Sequence, residues 1–335
     1  MDFILSSEQE LFRATLDRLL SEADVPGAAR SWAAGSHEAG LALWRSLADA
    51  GVFALAVDGS FGGVGLLPSE LVTAFRVLGA HGVPGPYVET VAATALLGSS
   101  PLASAWLPRV AEGGALVSLT LPEVPYALDA DVSALVLAAS EAEVRHGVPG
   151  TARESIDPAR RLFPLSPGDV VSPGSDAVPA AYDLGVLLCA AQLSGLGDRL
   201  LTITVEYAKT RQQFGRPIGE FQAVKHHLAD AYVALEHARP LLYGAALAHG
   251  TPSFAREVSA AKAATSEATY FASRIALQVH GAIGYTDEYA PSLLIRKARA
   301  LRNAWGSPAA HKARVLASLA TPTTPATPAM PTTAT

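Results

Sequence analysis

The most informative stretch of this chain is EYAKTRQQFGRPIGEFQAVK, which runs from Glu206 to Lys225. It follows a long apolar segment and leads into an amphipathic one, so it joins two predicted helices. Gly215 and Pro217 end the first of these helices, because glycine and proline are both unfavourable inside a helix. The sequence therefore predicts a polar corner between two helices.

This corner carries a fixed cation, two amides and an aromatic ring. Arg211 presents a planar fork of donors that suits a phosphate or pyrophosphate, and Gln213 and Phe214 can flank a planar ring. A solvated corner with Arg211 in a surface ion pair is the ordinary interpretation of a single arginine at a turn. Because the polar group surrounds a Gly-Pro break in an apolar region, the sequence favours an anion-binding corner.

Two motifs in the C-terminal half resemble those of the acyl-CoA dehydrogenase flavoproteins. TRQQFGRPIGEFQAVKHHLAD, at 210–230, is similar to the signature of their C-terminal domain, and QVHGAIGYTDEYAPSLLIRKAR, at 278–299, is similar to a second motif. DGSFGGVGLLPSEL, at 58–71, is a weaker match to their N-terminal Gly-Gly loop. The two C-terminal motifs together are highly specific, and they imply the acyl-CoA dehydrogenase fold.

The predicted fold is mainly α with a small β domain. Amphipathic segments up to Gly113 predict an N-terminal helical domain, and short β-like runs then follow between Pro, Gly and Asp residues. Helical patterns resume near Pro179, and the resemblance makes them a C-terminal four-helix bundle. The tail is a low-complexity Pro/Thr/Ala segment that we expect to be disordered. The predicted boundaries are 1–113, 114–178, 179–320 and 321–335.

Composition narrows the class of protein. The formal net charge is −6 and no basic block is present, so the sequence does not indicate nucleic-acid binding. Cys189 is the single cysteine, which excludes an internal disulfide and fits a reducing compartment. The N-terminal apolar run is too short for a signal peptide, and no uninterrupted apolar run reaches transmembrane length. We therefore expect a cytoplasmic protein without a membrane partner.

The resemblance implies an FAD site at a subunit interface. In the family, residues at these two motifs reach the FAD of a neighbouring subunit. The positions in this chain that match them are Arg211, Gln213, Phe214, Ile218, Gln222, Gln278, Gly281 and Ala282. The family usually has a second glycine where this chain has Ala282. From the residues alone, an ordinary helix C-cap is favoured for the glycine-rich segment 281–284.

The resemblance also locates the catalytic base, and here the chain departs from the family. Trp305 stands where the family usually has a glutamate, and Ala309 stands where a glutamine would contact flavin. An indole cannot accept the α-proton of a thioester. Some family members carry the base on the long buried helix, where an ungapped count reaches Gly185. The nearest carboxylate is Asp183, for which helix N-capping is favoured over catalysis.

The middle of the chain is also reduced. SLTLPEVPYALDAD, at 118–131, keeps only part of the family's flavin-contacting segment. A short chain without the base, but with the corner that reaches a neighbour's FAD, resembles the short subunit of heterotetrameric steroid side-chain acyl-CoA dehydrogenases. This resemblance implies a full-length partner subunit, an acyl-CoA substrate and an electron-transfer flavoprotein. A non-flavin binding or scaffold protein, and a homomeric dehydrogenase using Asp183, are the alternatives.

The histidines do not predict a metal site. His226 and His227 are adjacent, so on a helix their side chains point about 100° apart. His280 is distant in sequence and has no cysteine partner nearby. We expect these three side chains in solvent or at an interface, and no bound metal.

Overall fold

The computed structural model describes residues 4–320, so the predicted disordered tail at 321–335 lies outside the described residues. Eleven α-helices lie in this part of the chain. They are α1 Ser7–Glu22, α2 Val25–Ala33, α3 Glu38–Asp49, α4 Pro68–His81, α5 Tyr87–Gly98, α6 Ala103–Ala111, α7 Ala177–Thr210, α8 Gln222–Leu247, α9 Phe254–His280, α10 Ala290–Leu301 and α11 Pro308–Ala320.

Eight short strands lie in the same described range, and most of them fall between α6 and α7. They are β1 Val117–Thr120, β2 Ala127–Leu128, β3 Leu135–Ala139, β4 Glu143–Pro149, β5 Leu162–Phe163, β6 Leu165–Pro173, β7 Gln212–Gln213 and β8 Arg216–Pro217. The four-stranded sheet has the order β1-β3-β4-β6, with β1 and β3 parallel and the other pairs antiparallel. This arrangement confirms the predicted mainly α fold with a small β region.

The N-terminal helices are joined to the sheet by hydrogen bonds from buried side chains. Thr90 of α5 donates its hydroxyl to the Val117 carbonyl and accepts from the Val117 amide, both at 2.9 Å. Trp44 Nε1 donates to the Gly113 carbonyl at 2.9 Å. Because the Val117 backbone groups are buried, satisfying them fixes how α5 meets the first strand.

The core of the protein is built around α7, which packs against α4, α5, α8 and α9. Small residues allow the closest of these approaches. A Cβ placed on Gly195 would lie 1.8 Å from the Arg76 carbonyl oxygen of α4, and one on Gly79 would lie 2.0 Å from the Gln192 carbonyl oxygen. The two helices therefore cross in direct backbone contact at these glycines.

Among the described residues, α7 is the one helix that is long and apolar enough to cross a membrane. In this structure, 83% of its most apolar window is buried inside the protein. The central helix of a globular core passes the same length and composition test, because its whole circumference is buried.

Asp183 does not cap a helix, so that prediction is wrong. The helix begins at Ala177, and Asp183 lies in its second turn with 7% of its surface exposed. It forms an ion pair with Arg314 of α11, which also donates to Ser259 Oγ at 3.2 Å. The apolar run also includes the residues before Asp183. The helix therefore begins earlier than a capping role for Asp183 would require.

Candidate functional site

The two sequence motifs meet at one end of the helical bundle. This end contains the last turn of α7, the first turn of α8 and the last turn of α9. Tyr207 of α7 and His280 of α9 bring the motifs together, with ring centroids 4.4 Å apart. The structure therefore places the predicted FAD-binding positions 211–222 and 278–282 on neighbouring segments.

The corner between α7 and α8 is a short β-hairpin rather than a direct helix-to-helix turn. Gln213 of β7 pairs with Arg216 of β8, and the turn residues Phe214 and Gly215 have φ values of 53° and 80°. Two positive φ values are typical of the tight turns that close two-residue hairpins. Glycine adopts this geometry easily, whereas Phe214 holds a conformation that is uncommon for its residue type.

This hairpin presents its aromatic and cationic groups to solvent. Phe214 is 92% exposed, and its ring meets the edge of Phe221 at a centroid distance of 6.2 Å. The Arg216 guanidinium lies 4.3 Å from the Phe221 ring centroid. The exposed Arg211 guanidinium pairs with no carboxylate among residues 4–320. The ordinary interpretation of Arg211, a surface ion pair, does not hold in the described chain.

The predicted FAD-binding residues share an exposed surface. All are exposed except Ile218, which is half-buried; the exposed ones are Arg211, Gln213, Phe214, Gln222, Gln278, Gly281 and Ala282. Gly281 has φ 64° and ψ −140°, and a Cβ placed on it would meet nothing within 4 Å. The backbone at Gly281 is exposed and carries no side chain, as close contact with a diphosphate requires. The group fits an extended anionic ligand that approaches from outside this chain.

The histidine prediction is wrong for His280 and holds for His226, which is exposed. His280 is 4% exposed and packs against Tyr207 and Tyr289, and burial lowers the pKa of its imidazole. Within residues 4–320, no three His, Cys, Asp or Glu side chains come together as possible metal ligands.

The two positions that the resemblance assigns to a catalytic base lie in contact with each other. A Cβ placed on Gly185 of α7 would lie 2.2 Å from the Trp305 ring. Trp305 is 3% exposed, so the indole fills the space between its own segment and α7. Ala309, in the first turn of α11, is exposed. Neither base position therefore offers a titratable group, and the volume between them is occupied.

The indole is also held by a hydrogen bond to an acid from the N-terminal helices. Trp305 Nε1 donates to Glu89 Oε1 of α5 at 3.3 Å. Glu89 is 2% exposed, and burial raises the pKa of its carboxyl. Trp305 has φ 58°, an uncommon value for a large side chain, so the surrounding contacts have to fix its backbone.

A buried lysine fixes the backbone of the segment 302–307, which we call the Trp305 loop. Lys262 of α9 is 0% exposed and donates to Ser266 Oγ at 2.9 Å. It also donates to the carbonyl oxygens of Leu301, Arg302 and Gly306 at 3.2–3.3 Å. Burial lowers the pKa of the Lys262 ammonium. The three N–H groups of the ammonium share these four acceptors, which compensate the burial of the amine and hold the end of α10 against α9.

The sequence analysis missed Glu89, Lys262 and Arg314. Each of these charged residues lies in a helix whose neighbours are mostly apolar or alanine, as in ETVAATALL at 89–97. A charge inside such a run signals a buried polar contact, because an unpaired buried charge is costly. Apart from Ser266, which is four residues from Lys262, the partners lie more than 30 residues away, so the sequence alone does not identify them.

A pH experiment on His311 tests how the Trp305 loop is held. His311 Nε2 lies 2.8 Å from the Trp305 carbonyl oxygen, and burial lowers the pKa of His311 to about 4. A depressed folded-state pKa contributes stability that is present above the unfolded value near 6.5 and is lost as the pH falls towards 4. We expect the stability difference between wild type and His311→Gln to shrink by about 2–3 kcal/mol between pH 7 and pH 4.

Urea unfolding of both proteins at several pH values measures this difference. Buried groups with a raised pKa, such as Glu89, change stability with pH in the opposite direction. They are present in both proteins, so their contributions cancel in the comparison. A stability difference that stays constant across this pH range would show that His311 is not held neutral by the fold.

Comparison with known proteins agrees with the sequence motifs and the fold. The family model "Acyl-CoA dehydrogenase, N-terminal domain" matches residues 6–114, and "Acyl-CoA dehydrogenase, C-terminal domain" matches residues 174–320. Acyl-CoA dehydrogenase IpdE2 of Mycobacterium tuberculosis is 33% identical over 305 residues, which cover 90% of this chain and 94% of that protein.

Two solved structures share the fold. The ChsE4-ChsE5 complex from Mycobacterium tuberculosis has a TM-score of 0.81 at 23% identity, covering 96% of this chain and 100% of the matched one. A variant of the Tcur3481-Tcur3483 steroid ACAD has a TM-score of 0.82 at 22% identity, covering 93% and 98%.

Proposed function

Because this chain belongs to the acyl-CoA dehydrogenase family, we propose that it is one subunit of a heteromeric, FAD-dependent enzyme that introduces an α,β double bond into an acyl-CoA. The observation that supports this proposal most directly is a difference between two sites of the chain. The indole of Trp305 fills the space at both base positions, whereas the corner that would reach a neighbour's FAD is exposed and unpaired. The chain is therefore suited to complete another subunit's site and unsuited to perform proton abstraction itself.

The base must come from the partner subunit in this proposal. General base catalysis needs a titratable group within hydrogen-bond reach of the substrate. Trp305 and Gly185 provide none, and the nearby Asp183 is engaged by Arg314. The same ion pair weighs against a homomeric dehydrogenase that uses Asp183, because the carboxylate is already engaged by the Arg314 guanidinium.

FAD would be bound across the subunit interface. Arg211 would donate to its diphosphate, the open backbone at Gly281 would allow close approach, and Phe214 and Gln213 would flank its planar parts. Bound FAD supplies the hydride acceptor for the dehydrogenation, and an electron-transfer flavoprotein would reoxidise it. The residues of this chain would bind and orient the cofactor without entering the reaction.

The proposed substrate is a steroid side-chain CoA thioester, and the proposed partner is a full-length acyl-CoA dehydrogenase-like chain in a heterotetramer. One of the solved structures with this fold is a steroid ACAD, and another is a complex of two differently named components. These likenesses are the reason for proposing a steroid thioester as the substrate and a heteromer as the assembly. A cytoplasmic location would suit both the CoA substrate and the single buried cysteine, Cys189.

The flavin content of the chain, alone and with its partner, tests the proposal. We expect the chain expressed alone to purify colourless and without dehydrogenase activity. Co-expression with a full-length homologue that carries the base should yield a yellow complex with stoichiometric FAD and acyl-CoA dehydrogenase activity. The Asp183→Asn variant of the complex is the matched control, and its turnover should stay within about tenfold of wild type.

Two outcomes would contradict the proposal. Stoichiometric FAD and turnover in the lone chain, with loss of turnover in Asp183→Asn, would establish the homomeric alternative. A chain that never acquires FAD with any full-length homologue, although folded, would favour a binding or scaffold protein of the same fold.

A further inference from the structure

A concave site lies beside the predicted FAD surface. It is a cleft of about 350 Å³ between the end of α9, the 281–285 turn and α10. This volume falls in the range of small-molecule sites. We call it the arginine cleft, and its main lining residues are Ile156, Tyr270, Arg274, Ser292, Arg296 and Arg299. None of these is among the residues predicted to contact FAD.

The cleft is positively charged in an otherwise acidic chain. Three arginines line it, and Arg274 and Arg299 are both exposed. Within residues 4–320, the one carboxylate paired with any of the three is Asp287, which binds Arg296 at 2.8 Å and is itself 80% exposed. The cleft therefore keeps an excess of guanidinium donors, which favour carboxylates and phosphates.

Two buried polar groups in the cleft have no partner among the described residues. The Ser292 hydroxyl lies in a residue that is 3% exposed, and it makes no hydrogen bond in this part of the chain. The Arg296 Nε is likewise buried and unpartnered. An unsatisfied buried polar group costs about 1–3 kcal/mol, so a ligand in the cleft that reached these two groups would relieve that cost.

The remaining walls are aromatic and apolar. Tyr270 lies beneath two guanidinium groups, with Arg299 at 5.5 Å and Arg302 at 5.0 Å from its ring centroid. Tyr285, 76% exposed, and Ile156, 56% exposed, also line the cleft. An apolar, flat ligand body would cover these surfaces and remove them from water.

From these observations we propose that the arginine cleft binds a small organic anion with a flat apolar body. Its carboxylate or phosphate accepts hydrogen bonds from Arg274, Arg296 and Arg299, and the Ser292 hydroxyl completes the contact. Its apolar body lies against Tyr270. The cleft adjoins the predicted cofactor surface through Leu277 and Gly284, but none of its lining residues is a predicted FAD contact, so the proposed binding does not require FAD.

Calorimetric titration of the full chain with four probes tests the proposal. The probes are 2-naphthoate, 2-naphthyl phosphate, inorganic phosphate and 2-naphthalenemethanol. We expect at least one naphthyl anion to bind with a Kd between about 10 μM and 1 mM, because one or two charge-assisted bonds add to burial of the ring. Phosphate without the ring and the neutral alcohol should each bind at least about tenfold more weakly. The two naphthyl anions distinguish a carboxylate ligand from a phosphate one.

Two variants and a control locate the binding. Arg299→Gln and Ser292→Ala should each weaken the better probe by roughly tenfold, since each removes one hydrogen bond. Arg18→Gln removes an exposed arginine of α1 and should leave binding unchanged. Weak or absent binding of both naphthyl anions at 1 mM, or unchanged binding in Arg299→Gln and Ser292→Ala, would overturn the proposal.

Discussion

Replacing Trp305 by alanine is expected to lower the free energy of unfolding by about 3–5 kcal/mol, the usual cost of removing a large buried aromatic side chain. The indole is 3% exposed and packs directly against Gly185, which has no side chain that could move into the cavity. The substitution also removes the hydrogen-bond donor of the buried Glu89 carboxyl. Both losses act on the same interface between α5, α7 and the Trp305 loop.

Chemical unfolding, followed by circular dichroism, measures this change. Trp106 provides a matched control, because it is half-buried and stacks with Arg109 near the surface of α6. Trp106→Ala should cost clearly less. Trp305→Phe keeps most of the ring volume and should cost about 1–2 kcal/mol, in line with partial volume loss. A loss below about 1 kcal/mol in Trp305→Ala would show that the indole is not a packed element of the core.

The sequence predicted the fold well because its signals are local. Helical periodicity and the Gly113-Gly114 break report on neighbouring residues and predicted helices and a small β region, whereas the resemblance of the motif at 210–230 implied the bundle. The family assignment confirmed that interpretation. The boundaries at 113 and 178, and the eight FAD-binding positions, stay predictions.

The candidate site was only partly predictable, because its decisive contacts are tertiary. Residue matching identified Trp305 in place of a glutamate, but its contact with Gly185 requires the packing of α7 on the Trp305 loop. The role of Asp183 was predicted wrongly, because Arg314 lies 131 residues further along the chain. Local sequence patterns identify the acid and the helix that contains it. They do not identify a cation that contacts the acid from another helix.

Replacing Arg211 by alanine in the assembled complex is expected to weaken FAD binding by roughly 10- to 1000-fold. The exposed guanidinium has no carboxylate partner in the described chain, so its donors are free for a diphosphate from another subunit. One or two charge-assisted hydrogen bonds, each worth about 1.5–3 kcal/mol, account for this range. Arg211→Lys should recover only part of the loss, since lysine restores the charge and not the planar fork.

Dilution of the complex, followed by measurement of the flavin-to-protein ratio, tests this expectation. Lys209 provides the matched control: it is an exposed cation one turn of α7 before the hairpin, and it pairs with Glu206 at 2.7 Å. Lys209→Ala removes the same charge from the same region and should change FAD affinity by less than about threefold, as expected for a screened surface charge. If both variants lose the same amount of flavin, the loss comes from removing a positive charge from this region and not from removing direct hydrogen bonds to FAD. If Arg211→Ala keeps its full flavin content at nanomolar concentration, Arg211 makes no direct hydrogen bonds to FAD. The hairpin then does not reach the cofactor.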